Sequence, residues 1–141
     1  MIKIQKDNFN VEEEILNIKH NLLKTGSVST FIGYVRNENN NKKVNSIELE
    51  VYKEMAHQSL KKILQEATLK WNLFDTLVIH RYGKLNVGEK IVLVATFSKH
   101  RENSHESCSF IMDHLKKYSP FWKKENYDEG YSWLQNTNLK S

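Results

Sequence analysis

Apolar residues along the chain alternate between two spacings, and the points where the spacing changes mark out its elements. Ile2–Gln5 fits a short strand. Val11, Ile15, Ile18, Leu22 and Leu23 then recur at helical intervals. Asn10 and Glu13 precede them as a capping-box-like pair, with Asn in place of Ser or Thr, and Gly26 fits a stop just past that helix. Ser27–Arg36 (SVSTFIGYVR) is rich in β-branched and aromatic residues and predicts a strand. The polar stretch Asn37–Lys43 (NENNNKK) leads into Val44–Tyr52, where Ile47, Leu49 and Val51 alternate with Glu48, Glu50 and Tyr52, the pattern of a strand with one wet face. Met55–Trp71 carries Leu60, Ile63, Leu64, Ala67 and Trp71 on one helical face. Thr76–Tyr82 and Lys90–Ser98 predict two strands, and Gly83–Glu89 fits a hairpin-like link between them. Asn103 with Glu106 offers a second capping-box-like start, before a helix striped by Cys108, Ile111, Met112 and Leu115 that ends near Lys117. Pro120 blocks its continuation, Phe121–Tyr127 is a last extended segment, and Trp133 is expected to pack the tail down.

The resulting order, β-α-β-β-α-β-β-α-β, favours an α+β fold with a largely antiparallel sheet over a doubly wound parallel one. The 141 residues match one domain, there is no internal repeat, and low complexity is confined to Asn37–Lys43, too short to separate two domains. Hydrophobic residues at 39% supply a core and argue against disorder. No apolar run approaches the ~20 residues that span a bilayer. The N-terminal MIKIQKDNFNVEEE has charges where a secretory signal needs an apolar stretch, so a soluble, cytoplasmic chain is expected. A lone cysteine, Cys108, can form neither an internal disulfide nor a thiolate-rich zinc site.

Charge narrows the chemistry. The formal net charge of +4 and a pI near 9.1 suggest an anionic ligand: a nucleic acid, a phosphorylated metabolite or an acidic protein. P-loop, GxGxxG, HExxH and GxSxG motifs are absent from the sequence. His80 and His100 are the one histidine pair worth weighing as metal ligands, and they lack Cys or carboxylate company. Three basic groups stand out: Arg36 at a strand end, Ser98-Lys99-His100-Arg101 where a strand hands over to a helix, and Lys116-Lys117 followed by Pro120-Phe121-Trp122-Lys123-Lys124-Glu125. Strand ends and helix starts are where side chains and free N–H groups converge on anions. Crowding Lys116 and Lys123 beside Arg36, His100 and Arg101 would lower a lysine pKa and suit it to proton transfer near neutrality. Commoner roles compete with these. Lys116 and Lys117 also suit a helix C-terminus, Arg36 a solvated sheet edge, Phe121 and Trp122 the core, and Cys108 a small buried apolar site. Residue chemistry alone reaches an anion-binding α+β domain.

Six ordered segments go further. Phe31-Ile32-Gly33-Tyr34-Val35-Arg36 resembles the F-x-G-x-V-R segment of the large, catalytic subunit of molybdopterin synthase, and Leu49–Ala56 its L-E-x-Y-x-x-M-A stretch. Ile79–Glu89 is similar to I-H-R-x-G-x-L-x-x-G-E, Ser98–Arg101 to S-x-H-R, Asp113–Lys116 to D-x-L-K, and Pro120–Glu125 to P-[IF]-W-K-K-E. Together they cover about Thr25 to Trp133. The chain departs from the pattern at Ser104-His105, where the family usually has a small residue and an aromatic. The Asn-rich loop and tail carry no readable functional signal.

The resemblance implies an α/β hammerhead-type fold with three main helices, and a homodimer flanked by two ubiquitin-like small subunits in a heterotetramer. It implies a sulfurtransferase of molybdenum cofactor biosynthesis. Sulfur would pass from the thiocarboxylated C-terminus of the small subunit to cyclic pyranopterin monophosphate, forming the dithiolene of molybdopterin. In that reading Lys116 and Lys123 are catalytic. Tyr34, Val35, Arg36, His100, Arg101, Lys124 and Glu125 bind substrate, and neither a metal nor a cofactor is needed. Two other readings stand beside it. One is a non-enzymatic basic RNA-binding domain, with Tyr118, Phe121 and Trp122 stacking bases. The other is a scaffold that kept the fold and lost turnover.

Overall fold

The strands divide between two sheets. The computed structural model describes residues 1–18, 23–39, 41–118, 120–127 and 130–135. Its elements in order are β1 (Ile2–Gln5), α1 (Val11–Leu16), β2 (Ser27–Tyr34), β3 (Glu38–Asn39), β4 (Lys42–Val51), α2 (Lys53–Trp71), β5 (Asp75–Arg81), β6 (Gly83–Asn86), β7 (Lys90–Ser98), α3 (Arg101–Tyr118), β8 (Phe121–Tyr127) and β9 (Gly130–Gln135). The first sheet runs β1-β5-β7-β2, and within it only β1 and β5 pair in parallel. β5 and β7 read as near-continuous apolar runs because both of their faces are covered. On one face, Leu60 of α2 and Ile111 of α3 share a cluster with Val78 and Val94. On the other, Val11 and Ile15 of α1 pack with Leu77, Leu93 and Phe97.

In the second sheet, β4 pairs with β8 on one side and with β6 and β3 on the other, and β9 adds beyond β8. Here the alternation of β4 holds: Ile47 and Leu49 turn inward to pack with Val35, Val44 and Leu85, while Glu48 and Glu50 face out. The architecture is thus the expected α+β one, with three helices among the described residues and antiparallel pairing dominant.

Several local expectations change. The first helix stops at Leu16, with Asn17 as its C-cap. Its N-cap is as expected, because Asn10 Oδ1 accepts from the Glu13 N–H at 3.0 Å. Leu22 lies outside the described residues, and Leu23 is 98% exposed rather than part of an apolar stripe. Gly26 matters for a different reason, since a Cβ there would run into the Lys99 carbonyl oxygen. Strand β2 ends at Tyr34 because the register shifts after Gly33, where a Cβ would come 2.8 Å from Val92 Cγ1. The Gly83–Glu89 link does join antiparallel strands, but its first half is β6, which leaves for the second sheet at Gly83 (φ +88°).

Helix α3 begins at Arg101, two residues before the expected cap. Asn103 instead donates from Nδ2 to the Trp71 carbonyl at 2.8 Å, and Glu106 accepts from Trp71 Nε1 at 3.0 Å. The pair ties α3 to the end of α2. Of the two aromatics assigned to the core, Phe121 is buried and Trp122 is 48% exposed. Trp133 lies on β9, a strand the apolar pattern does not predict, and is 43% exposed with the Lys124 ammonium 5.7 Å from its ring centroid.

Candidate active site

Strand β8 sorts its charges by the two-residue period. Lys123 and Glu125 point to the inner face, where Glu125 is 2% exposed. Lys124 points to the outer face, with Nζ 3.8 Å from Glu48 Oε2. Lys123 and Glu125 form an ion pair, Nζ to Oε2, at 3.7 Å. The other carboxylate oxygen of Glu125 accepts from Asn39 Nδ2 at 2.7 Å and from the Tyr127 hydroxyl at 3.1 Å. Burial, then the Glu125 charge and its hydrogen bond, push the Tyr127 pKa up, so this hydroxyl stays a donor. Lys123 has its pKa pushed down, chiefly by burial; Glu125 opposes the shift and Arg36 adds to it. The predicted depression of a lysine pKa is therefore found at Lys123, with desolvation ahead of cation crowding.

Arg36 reaches this place because β2 ends early. The Val35 N–H donates to the Glu89 carbonyl and the Val35 carbonyl accepts from the Gly88 N–H, both at 2.9 Å, which pins the turn that carries Arg36. Tyr34, Val35, Arg36, Asn39, Lys123 and Glu125 line one narrow cavity of about 50 Å³. That volume is far below the ~300 Å³ at which small-molecule pockets begin, so a substrate would lie across the mouth and not inside. Lys116 belongs to the same end of the molecule. Helix α3 packs on β2 and β7 and runs back from the end of β7. Fifteen residues at 1.5 Å each carry Lys116 about 22 Å from Arg101, toward the end of β2 where Arg36 leaves.

His100 and Arg101 stand at the opposite end. Ser98 of β7 pairs with Ser27, the first residue of β2, and the two basic residues follow it. They share a hollow with Gly26, Lys99, Glu102 and Asn103. Their turn is fixed from beneath. Ser98 Oγ donates to the His100 carbonyl at 2.6 Å, and Ser104 Oγ donates to the Arg101 carbonyl at 3.1 Å while meeting Ser27 Oγ at 2.6 Å and accepting from Ser29 Oγ at 2.8 Å. A hydroxyl has one donor and two acceptor sites, so Ser104 is fully used as a buried peg under α3.

One chain thus gathers Tyr34, Val35, Arg36, Lys123 and Glu125 in one cavity, sets Lys116 at that end, turns Lys124 to the other face and holds His100-Arg101 apart. Sequence reasoning missed Asn39 and Tyr127. Asn39 sits in the Asn-rich loop, which thereby adds a side chain to the cavity wall. The only signal was its position three residues after Arg36. His80 does not join His100: it is buried at the Arg36 end, its ring stacks on Phe121 at 3.7 Å between centroids, and burial lowers its pKa to about 4. Among the described residues no three His, Cys, Asp or Glu side chains are grouped to hold a metal ion, and no helix is long and apolar enough to cross a membrane. A larger cavity of about 620 Å³ opens between α2 and β1, where Ile2, Leu64 and Leu69 are joined by His57 and Lys61, and none of the predicted site residues lines it.

Known proteins resemble this chain in sequence and in fold. The family described as MoaE protein matches residues 4–118. A molybdopterin synthase catalytic subunit from Ralstonia nicotianae is 42% identical over 133 residues, which are 94% of this chain and 76% of the relative. The crystal structure of molybdopterin synthase from Staphylococcus aureus aligns with a TM-score of 0.85 at 29% identity, over 94% of this chain and 96% of that one. A complex of subunits 1 and 2 of molybdopterin-converting factor from Helicobacter pylori contains a chain of the same fold, with a TM-score of 0.78 and 18% identity over 95% of this chain and 90% of that one.

Proposed function

The chain belongs to the MoaE protein family, the catalytic subunits of molybdopterin synthase, and on that premise we propose how its basic groups share out the reaction. The enzyme class is sulfurtransferase in molybdenum cofactor biosynthesis. The substrate is cyclic pyranopterin monophosphate, and the sulfur arrives as the C-terminal thiocarboxylate of a ubiquitin-like small subunit. Both are anionic, which is the chemistry the Arg36–Lys116–Lys123 end of the molecule suits. The two-subunit Helicobacter pylori complex, in which a chain of this fold is one half, supports the partner. Residues 1–141 act as one domain in the cytoplasm.

The observation that carries the reading is the buried Lys123 beside Arg36, a lysine whose pKa is lowered and whose counter-charge is held by other donors. Lys123 neutralises negative charge developing on the pterin or on the leaving phosphate oxygen. Lys116 assists proton transfer as sulfur adds and the spent carboxylate departs, and holds the C-terminus of the small subunit. Tyr34 and Val35 line the mouth. His100 and Arg101 grip the phosphate in the site of the second protomer of a homodimer within a heterotetramer, since neither reaches Lys123 of its own chain. Lys124, on the outer face, takes part from there or across the same interface. The RNA-binding reading loses its ground, because the relatives are enzymes.

A single-turnover assay tests the proposal: the chain, cyclic pyranopterin monophosphate and thiocarboxylated small subunit are mixed, and the dithiolene is read as its oxidised fluorescent derivative. Product that vanishes with Lys116→Ala, while small-subunit binding persists, supports the assignment. Normal product from that variant refutes it.

A further inference from the structure

Asn39 belongs to the polar loop that the sequence leaves without a role, yet its amide makes the shortest contact to the buried carboxylate of the site, 2.7 Å to Glu125 Oε1. The Tyr127 hydroxyl shares that oxygen at 3.1 Å. Both donors thus act on one oxygen, and only Oε2 is left toward Lys123, 3.7 Å away, longer than the 2.7–2.9 Å of a close charge-assisted bond. Asn39 comes from β3, whose pairing with Lys42 and Lys43 of β4 fixes it over the start of the pocket.

We propose that Asn39, together with Tyr127, is a positioning residue that holds Glu125 back from Lys123, leaving the Lys123 ammonium loosely paired and free to meet an incoming anion. This rests on the reading of Lys123 as a catalytic residue. A carboxylate without the two anchors would turn both oxygens to the ammonium and close the gap. The ion pair would then compete with substrate and hold the lysine proton more firmly. The other groups facing Lys123 do not supply the same restraint. Arg36 repels it, and Glu38 and Tyr34 line the rim from β3 and β2.

The test reads Lys123 itself and not turnover. The intact chain is pulse-labelled with an amine-acylating reagent between pH 7 and 11, and modification of the Lys123 peptide is followed by mass spectrometry. Asn39→Ala is expected to move the labelling midpoint up by about one pH unit, a tenfold loss of free amine at a given pH. Tyr127→Phe, which keeps the ring and removes only the donor, moves it the same way and guards against a hairpin disturbed by the first change. Midpoints unmoved or lowered in both variants overturn the proposal. A raised midpoint with sulfur transfer unchanged would keep the role of Asn39 and remove Lys123 from the reaction.

Discussion

Arg36 and His100 lie beyond opposite ends of one strand, β2, whose first residue pairs with Ser98 and whose last pairs with Lys90. Seven steps of about 3.3 Å separate those ends by roughly 23 Å. No small phosphorylated substrate spans that gap. If both residues serve one site, two protomers build it, and inactive variants should complement. Arg36→Ala and Arg101→Ala are each expected to lose ~10- to 100-fold in single-turnover rate, the worth of a hydrogen bond to a charged group. Dissociated and reassociated in equal amounts, they should regain roughly a quarter of wild-type activity, because about half the dimers are mixed and each mixed dimer has one intact site. If a single protomer forms the whole site, mixing recovers nothing.

Gly26 offers a separate handle on the far basic group. Its Cβ-less backbone lets the chain pass against the Lys99 carbonyl, and its N–H donates to the Ser98 carbonyl at 3.0 Å. A backbone oxygen cannot swing aside as a side chain would. Gly26→Ala should displace the Ser98–Arg101 turn, costing about 1–3 kcal/mol of stability as overpacking does. Under the proposed function, in which the turn binds and does not react, it should also raise KM for the pterin substrate more than it lowers kcat. Steady-state kinetics with chemical denaturation on the same variant check both.

The elements that periodicity read well are those whose burial is one-sided. The alternation of β4 and the stripes of α2 and α3 survive almost residue for residue. What failed depends on contacts between segments distant in sequence. Asn103 looks like a cap and ties α3 to Trp71; Gly83–Asn86 looks like a turn and pairs with β4. The site divides in the same way. Lys123 and Glu125 at i and i+2 were bound to share a face once β8 was a strand. No local pattern could bring Asn39, 86 residues away, onto Glu125. The separation of Arg36 from His100 is a matter of sheet register, which the residues between them do not encode.

His80 makes the fold sensitive to acid. It is buried, its Nδ1 lies 2.9 Å from the Arg81 carbonyl, and desolvation first, against a backbone hydrogen bond, lowers its pKa from 6.5 to about 4. The unfolded chain therefore takes up the proton before the folded one does. The stabilisation is complete above pH 6.5 and is lost as pH falls through 4, amounting to ~3 kcal/mol over the window. Urea unfolding between pH 7 and 4 should show a falling midpoint in the wild type. The His80→Gln variant, lower at pH 7 for want of the Phe121 stack, should follow a flatter slope over this range. Parallel slopes would mean that other groups govern the acid response.

Cys108 separates sulfur chemistry from sulfur content. The thiol lies on the apolar face of α3, packed in the cluster with Val94 and Ile111, and burial pushes its pKa up to about 11. At neutral pH it is almost wholly protonated, and the thiolate is the nucleophilic form. It cannot carry sulfur at a useful rate from there, and in the proposed reaction the partner brings the sulfur already activated. Cys108→Ala should keep single-turnover dithiolene formation within about twofold of wild type, while the small cavity it leaves costs on the order of 1 kcal/mol. Iodoacetamide should likewise leave the folded chain unmodified and active under conditions that alkylate it in urea. Loss of product in Cys108→Ala, with the fold intact by circular dichroism, would mean that a covalent relay through this chain takes part after all.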